Sequence, residues 1–149
     1  MRALSVHQPW AWAILHAGKT VENRSRPTRH RGPLLIHAGK SRRSSDAWPS
    51  AVWRERFGVG RPLWDELPTG ALVGVVQVVA CLPLAEWKRW HADGDPRATH
   101  PEAMRSAWTE GPCCWVLAEP RAFAKPVPWK GMQNLFEVPE GKIGTIEVA

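Results

Sequence analysis

Tyrosine is absent from this chain of 149 residues, which contains ten tryptophans but only three cysteines. Cys113 and Cys114 are neighbours in the sequence, and Cys81 stands apart from them. Three cysteines in this arrangement form neither a disulfide framework nor the spaced pairs of a structural zinc site. We therefore expect a reducing, cytoplasmic environment and a site that works with no metal ion and no other cofactor.

Long apolar runs are lacking as well. No segment approaches the roughly 20 apolar residues of a membrane-spanning helix. The first ten residues, MRALSVHQPW, lack the apolar core of a signal peptide. Internal repeats and low-complexity tracts do not occur. The length and the hydrophobic fraction of 44% predict one globular domain over residues 1–149, with no membrane partner.

Acidic residues are scarce in one part of the chain. Residues 19–56 contain ten Lys or Arg residues and three Asp or Glu residues, which gives this segment a net charge of +7 within a total of +6. A local excess of one sign concentrates anions more than scattered charges do. The segment indicates an anionic partner such as RNA, DNA or a phosphorylated small molecule, and a merely solvated basic face is the alternative.

The apolar pattern predicts several short strands and helices that do not alternate regularly. Strands are expected at 2–7, 20–24, 32–39, 70–84, 113–131 with an interruption at Pro120, 134–138 and 144–148, and helices at 8–18, 84–95 and 101–108. The run at 70–84 is rich in valine and uncharged, so it is expected to be central. The irregular order argues against a doubly wound sheet. It predicts an α+β fold, a small mixed β-barrel with helices packed on it.

Residues 41–69 interrupt this pattern and are interpreted as a Trp-rich helical insertion lying over the sheet. A helix is expected at about 47–57, and three polar residues before it are candidates for its N-cap: Ser44, Ser45 and Asp46. Three tryptophans are expected to hold the insertion down: Trp48, Trp53 and Trp64.

The stretch GKTVENR at 18–24 carries charges of both signs around one apolar residue, Val21. In a strand, Thr20, Glu22 and Arg24 point to one face and Val21 points to the other, toward the core. Lys19 stands at the start of the strand, where its long side chain is able to turn toward Glu22. Mixed charge of this kind suits a ligand with both N–H donors and anionic oxygens. A ladder of exposed ion pairs is the alternative.

Four motifs together resemble one known family. They are QPWA at 8–11, GKTVENR at 18–24, RGPLLIHA at 31–38 and PVPWKGMQNLFEV at 126–138. The resemblance is to the ASCH domains (activating signal cointegrator homology), which look like relatives of the PUA RNA-binding barrels. It implies a PUA-like mixed β-barrel and a cleft lined by the GKTVENR segment at 18–24. RNA or a nucleoside or nucleotide is then the expected ligand.

The resemblance also supports the binding face chosen from the strand pattern, with Lys19, Glu22 and Arg24 at the ligand. The carboxylate of Glu22 would accept hydrogen bonds from N–H groups of a base. The two cations would hold phosphate or carbonyl oxygens.

Two tryptophans beside prolines in the matching segments, Trp10 and Trp129, are predicted to stack on a base. Gln8 and Gln133 are predicted to contact the edge of that base through their amides. Most of the other tryptophans are expected to pack in the core.

A further group of basic residues follows the strand at 32–39. His37 and Lys40 are predicted to flank the same cleft, with a structural, fully hydrogen-bonded histidine as the alternative. Arg42 and Arg43, within the run KSRR at 40–43, are candidates for contact with a phosphate backbone. A plain solvated loop is the alternative for this run.

Two hypotheses of other classes stay open. One is a metal-independent hydrolase acting on an acylated nucleoside or on RNA, with Lys19, Thr20 and Glu22 in catalytic roles. In the amidohydrolases of the family the residue three positions after the Lys is a Thr nucleophile, and this chain has Glu22 there. The other is an adaptor that binds a protein partner through the Trp-rich insertion. A closed cleft favours the enzyme, an open basic groove favours the binder, and an exposed apolar patch favours the adaptor.

Overall fold

The computed structural model of the chain describes residues 1–144. The strands in this part are β1 (Arg2–Val6), β2 (Val21–Arg24), β3 (Gly32–Ala38), β4 (Ala71–Pro83), β5 (Cys113–Pro128) and β6 (Leu135–Glu137). The helices are α1 (Trp10–His16), α2 (Arg43–Ala47), α3 (Ser50–Phe57), α4 (Leu84–Ala92), α5 (Pro101–Met104) and α6 (Glu140–Ile143), and a 3₁₀ turn covers Trp64–Glu66. Of the strand expected at 144–148, only Gly144 lies within the described residues.

The six strands form one mixed sheet in the order β2-β5-β4-β3-β1-β6. Strand β1 is parallel to β3 and antiparallel to β6. Strand β4 lies inside the sheet, as its uncharged, valine-rich sequence predicts. The mixed sheet with its short helices confirms the predicted α+β class.

The chain divides into two compact units. The first unit consists of residues 1–19, residues 33–76 and the chain from residue 119 onward. The second unit consists of residues 20–32 and 77–118.

The core of the first unit is built from the inward side chains of its strands. Residues 34–38 of β3 and 71–76 of β4 are buried without a break, so both faces of these strand segments are covered, as in a central strand. The buried cluster contains Ala3, Leu35, Leu72, Val75, Phe123, Phe136 and Val138.

Helix α1 begins after Pro9 and is anchored by a buried glutamine. The Oε1 atom of Gln8 accepts a hydrogen bond from the Trp12 N–H at 2.9 Å, and its Nε2 donates to the Pro68 carbonyl at 3.0 Å. Gln8 is only 1% exposed. The helix ends at His16, and Gly18 follows with a φ of 72°, which is accessible to glycine without strain.

The insertion contains two helices: α3 confirms the helix expected at about 47–57 but starts only at Ser50, and α2 before it was not predicted. Trp48 and Pro49 separate α2 from α3, because proline lacks an N–H and pushes the preceding residue out of the helical region. The three predicted N-cap residues, Ser44, Ser45 and Asp46, lie inside α2 instead.

Aromatic packing holds the insertion against helix α1. The ring of Trp10 lies 4.9 Å from that of Trp53, 5.5 Å from that of Trp48 and 5.7 Å from that of Phe57, measured between centroids. Trp53 is fully buried. Trp48 and Trp53 therefore serve as packing residues with Trp10 as a partner, whereas the ring of Trp64 lies against the Arg42 guanidinium.

The second unit is built on the antiparallel pair of β2 with residues 113–116 of β5. Val21 is buried there in a cluster with Trp87, Met104, Cys114 and Val116. The neighbouring Asn23 donates to the Trp108 carbonyl at 2.8 Å and accepts the N–H groups of residues 110 and 111. This side chain thus fixes the loop that leads into β5.

Strand β5 runs through Pro120 without the predicted interruption. The irregularity is confined to Glu119, which adopts a φ of 50°.

Cys81 and Cys113 are free thiols. Among residues 1–144, no helix combines the length and the apolar character needed to cross a bilayer.

Candidate functional site

A cavity of about 720 Å³ opens in the first unit. Residues from the ends of β1 and β3, from the start of β4 and from the segment after β5 line it: Ser5, His37, Gly39, Lys40, Gly70 and residues 128–133. Since β1 and β3 are parallel, their carboxyl ends meet at the same edge of the sheet. The cavity lies at this edge.

Backbone hydrogen bonds join the segments that form the cavity. The Gly39 N–H donates to the Val6 carbonyl at 2.9 Å, and the Gly70 N–H donates to the Ala38 carbonyl at 2.7 Å. The Trp129 N–H donates in turn to the Gly70 carbonyl at 3.0 Å. These bonds fix the backbone on which the functional side chains stand.

Two polar side chains form the inner wall. Ser5 Oγ lies 3.0 Å from His37 Nδ1, and His37 Nε2 lies 2.9 Å from the Trp129 carbonyl oxygen. His37 is 2% exposed. Burial lowers the pKa of His37 below its ordinary value, although the hydrogen bond to the Trp129 carbonyl opposes this shift. The imidazole is therefore neutral at pH 7.

The outer wall carries positive charge, an indole and an amide. Lys40, Lys130 and Gln133 are exposed, and Trp129 is half-buried. The structure thus brings together four residues that the sequence proposed as ligand contacts, although they come from two distant segments. They are His37, Lys40, Trp129 and Gln133.

Two glycines shape the cavity. At Gly70, whose φ is 63°, a Cβ atom would stand 2.5 Å from Lys40 Cε. At Gly131 a Cβ atom would stand 2.5 Å from His37 Cε1 and 2.9 Å from Ser5 Oγ. Contacts this short do not occur between real side chains, so any larger residue here would displace Lys40 or the Ser5–His37 pair.

Sequence reasoning missed Ser5 and Lys130. Ser5 lies opposite His37 in the parallel pairing of β1 and β3, a register that no local pattern reveals. Lys130 had a visible signal, because it follows Trp129 within the matched motif PVPWKGMQNLFEV.

Lys19 and Trp10 belong to the first unit and contact each other. Lys19 is 3% exposed, and its Nζ lies 5.7 Å from the Trp10 ring centroid, in the range of a cation–π interaction. Trp10 also packs against the insertion, and both amide atoms of Gln8 bind protein groups. The predicted ligand contacts of Gln8, Trp10 and Lys19 stay predictions.

Thr20, Glu22 and Arg24 belong to the second unit. Glu22 is 8% exposed, and its Oε2 atom has no hydrogen-bond partner although it is buried. The Arg24 guanidinium lies 6.0 Å from the Trp115 ring centroid. Thr20 is half-buried, and its carbonyl accepts a hydrogen bond from the Leu117 N–H at 2.8 Å. That Lys19, Glu22 and Arg24 line one cleft stays a prediction.

The basic loop at 40–43 is exposed, but part of its charge is already paired. Arg42 forms an ion pair with Asp46 at 3.1 Å, and its guanidinium lies 5.4 Å from the Trp64 ring centroid. Arg43 is exposed at the start of α2.

Among the described residues, no group of three or more His, Cys, Asp or Glu side chains is arranged to hold a metal ion.

The adaptor hypothesis also stays a prediction. The insertion exposes three apolar side chains, Val52, Val59 and Leu63, whereas the side chain of Trp53 is buried.

Comparison with known proteins identifies the family. The model of the ASCH domain matches residues 4–127. The human protein Activating signal cointegrator 1 is 28% identical over 137 residues, which cover 91% of this chain and 22% of the human protein. The mouse protein of the same name is 35% identical over 92 residues, which cover 60% of this chain and 16% of the mouse protein. The chain therefore spans about a fifth of these relatives.

The solved structures most useful for comparison are of ASCH from Zymomonas mobilis. Its crystal structure has a TM-score of 0.53 and 14% identity, and covers 98% of this chain and 95% of that one. A mutant form of the same protein gives the same score and identity, with 98% of each chain covered. These likenesses confirm the predicted PUA-like fold. Since the family model spans most of the sequence, the chain belongs to the ASCH domain family.

Proposed function

We propose that this protein binds RNA or a modified nucleoside through the cavity of the first unit. The observation that carries the proposal is the set of side chains that line the cavity together: Lys40, Lys130, Trp129 and Gln133. A volume of about 720 Å³ also falls within the range of small-molecule sites.

Each of these side chains matches one part of a nucleotide. Lys40 and Lys130 are exposed ammonium groups that suit phosphate oxygens. The half-buried indole of Trp129 offers a face on which a base can stack, an interaction that tolerates any base. Gln133 supplies an amide, which can donate to and accept from the edge of that base.

Glu22 in the second unit does not line this cavity, and we propose it as a separate contact for the same class of ligand. A buried carboxylate oxygen without a hydrogen-bond partner is costly, and such an atom in a native protein calls for an explanation. An N–H group of a ligand would satisfy Glu22 Oε2, which is the recognition role predicted from the sequence. The PUA-like fold supports the same proposal, because RNA binding is typical of PUA domains.

The test is a titration of a fluorescently labelled, single-stranded RNA, followed by anisotropy at several salt concentrations. The variant with both Lys40→Ala and Lys130→Ala should bind more weakly, and its salt dependence should be less steep by roughly 0.7 per lost phosphate contact. Lys125→Ala is the matched control, because Lys125 is exposed on β5 and does not line the cavity. The proposal is wrong if the double variant and the wild type bind equally well.

A further inference from the structure

Ser5 and His37 form a hydrogen-bonded pair whose protons can be assigned. A carbonyl oxygen only accepts hydrogen bonds, so in the neutral ring His37 Nε2 carries the hydrogen and donates it to the Trp129 carbonyl. His37 Nδ1 is then the acceptor, and the Ser5 hydroxyl donates to it. The Ser5 hydroxyl is thus hydrogen-bonded to a basic nitrogen of His37, and the Trp129 carbonyl orients the imidazole from its opposite side.

The pair faces the cavity and is accessible from it. Ser5 and His37 both line the cavity, and Ser5 is half-buried while the imidazole is almost fully covered. Gly131 leaves Ser5 room, because any side chain at that position would collide with the Oγ atom. The Lys40 and Lys130 side chains line the same cavity and supply positive charge.

These features match the geometric requirements for nucleophilic catalysis. They include a nucleophile within hydrogen-bond distance of a base, an orienting partner for the base, and an adjoining cavity. We propose that Ser5 is a nucleophile, with His37 as its general base, for the hydrolysis of acyl groups carried on a phosphate-bearing leaving group.

The reaction balances with water as the only co-reactant. Ser5 Oγ forms a bond to the acyl carbon and passes its proton to His37 Nδ1, while the bond from the acyl carbon to the phosphate oxygen breaks. The leaving phosphate takes the proton from His37. Water then attacks the acyl-serine, its proton passes through His37 back to Ser5 Oγ, and the carboxylic acid is released. Lys40 and Lys130 hold the leaving phosphate.

This inference uses the same cavity as the proposed binding function but does not depend on RNA. The failure of one is therefore visible without the failure of the other. If the protein binds RNA but Ser5 is unreactive, only the proposal of a nucleophilic Ser5 is refuted. If Ser5 is reactive but the protein does not bind RNA, only the proposed binding function is refuted.

The experiment exposes the purified protein to a fluorophosphonate probe, which phosphonylates activated serines, and maps adducts by mass spectrometry. Hydrolysis of acetyl phosphate is measured in parallel. We expect an adduct on Ser5 in the wild type and in the Ser41→Ala control, and none on this segment in Ser5→Ala. Acetyl phosphate hydrolysis should fall by at least about 100-fold in Ser5→Ala, the range for loss of a nucleophile and its base. Lys40→Ala with Lys130→Ala should slow the hydrolysis of acetyl phosphate more than that of 4-nitrophenyl acetate, which carries no phosphate.

Two further measurements distinguish the loss of a reactive Ser5 from misfolding of the Ser5→Ala variant. In the wild type, labelling of Ser5 should stay constant from pH 8 to pH 7 and fall only below the ordinary histidine pKa of 6.5, because burial lowers the pKa of His37. Gly131→Ala should block labelling. The proposal is overturned if Ser5 is not labelled, if Ser5→Ala hydrolyses acetyl phosphate as fast as the wild type, or if a labelled wild type does not hydrolyse acetyl phosphate at all.

Discussion

The two units carry cavities of similar size but opposite charge. The cavity of the first unit, about 720 Å³, is lined by Lys40, Lys130 and Trp129. A cavity of about 640 Å³ in the second unit is lined by Glu86, Glu110 and Lys88 with several apolar residues and the Cys113 thiol. Volume alone does not distinguish them. The first suits an anionic ligand by charge, and the second does not.

Three buried polar side chains also differ in how they are satisfied. In the first unit, Gln8 and His37 are buried and hydrogen-bonded at both ends of their side chains. In the second unit, Glu22 leaves one buried carboxylate oxygen without a partner. A satisfied group is stable without ligand, whereas an unsatisfied one gains free energy when a donor arrives.

The largest effect is expected from Glu22→Gln, which keeps the size of the side chain and removes its charge. If Glu22 accepts a hydrogen bond from the ligand, affinity should fall by about 1 to 3 kcal/mol. If Glu22 were instead a general base, turnover should fall by roughly 100-fold with binding nearly intact. The check is to titrate wild type and variant with acetylcytidine, cytidine and a short RNA, and to assay product from each.

Recognition is the expected outcome for Glu22, which would then be a second ligand contact outside the first cavity. Product formed by the wild type, lost in Glu22→Gln and accompanied by unchanged binding would show that the hydrolase hypothesis with Lys19, Thr20 and Glu22 is right.

A smaller effect is expected from Arg42→Ala combined with Arg43→Ala. Arg42 is already paired with Asp46, so these exposed residues should contribute less than about tenfold to RNA affinity, whatever the RNA sequence. The check is the same salt titration as for Lys40 and Lys130. If RNA affinity fell as much as in the Lys40→Ala and Lys130→Ala variant, the phosphate contact would lie in the loop at 40–43 and not in the cavity.

The smallest effect is expected in the second cavity. Burial, and to a lesser extent the charges of Cys81 and Glu86, raise the pKa of the Cys113 thiol. Glu86→Gln should therefore lower the pKa of Cys113 and speed its alkylation by iodoacetamide at pH 8 by less than about tenfold, since tenfold corresponds to one pKa unit. The rate is measured by mass spectrometry of the modified peptide. RNA affinity should not change, and a decrease would contradict the assignment of binding to the first unit.

Local sequence patterns predicted those parts of the fold that depend on neighbours in the chain. The uncharged run of β4, the glycine-bounded β3 and the helix after Pro9 all carry their signals within a few residues. Pro49 is also a local signal for the break before α3, whereas the predicted caps Ser44, Ser45 and Asp46 lie inside α2.

The site was harder to predict because it depends on pairing between distant segments. The matched motifs contained His37, Trp129 and Gln133, and Lys40 stands just after one of them, yet nothing local showed that residues 129–133 would lie beside residues 37–40. The Ser5–His37 contact needed the parallel register of β1 and β3. The buried state of Lys19 and Glu22 was likewise hidden, since their charges made an exposed ladder an equally good interpretation.

The most direct test of the central claim is an NMR titration of the isotope-labelled protein with a short single-stranded RNA, following the backbone amides. If the first cavity binds the ligand, the largest shift changes should occur at Gly39, Gly70 and Gly131, which line it. Changes centred on Ala85 and Glu110 in the second cavity, with Gly39, Gly70 and Gly131 unmoved, would contradict the claim.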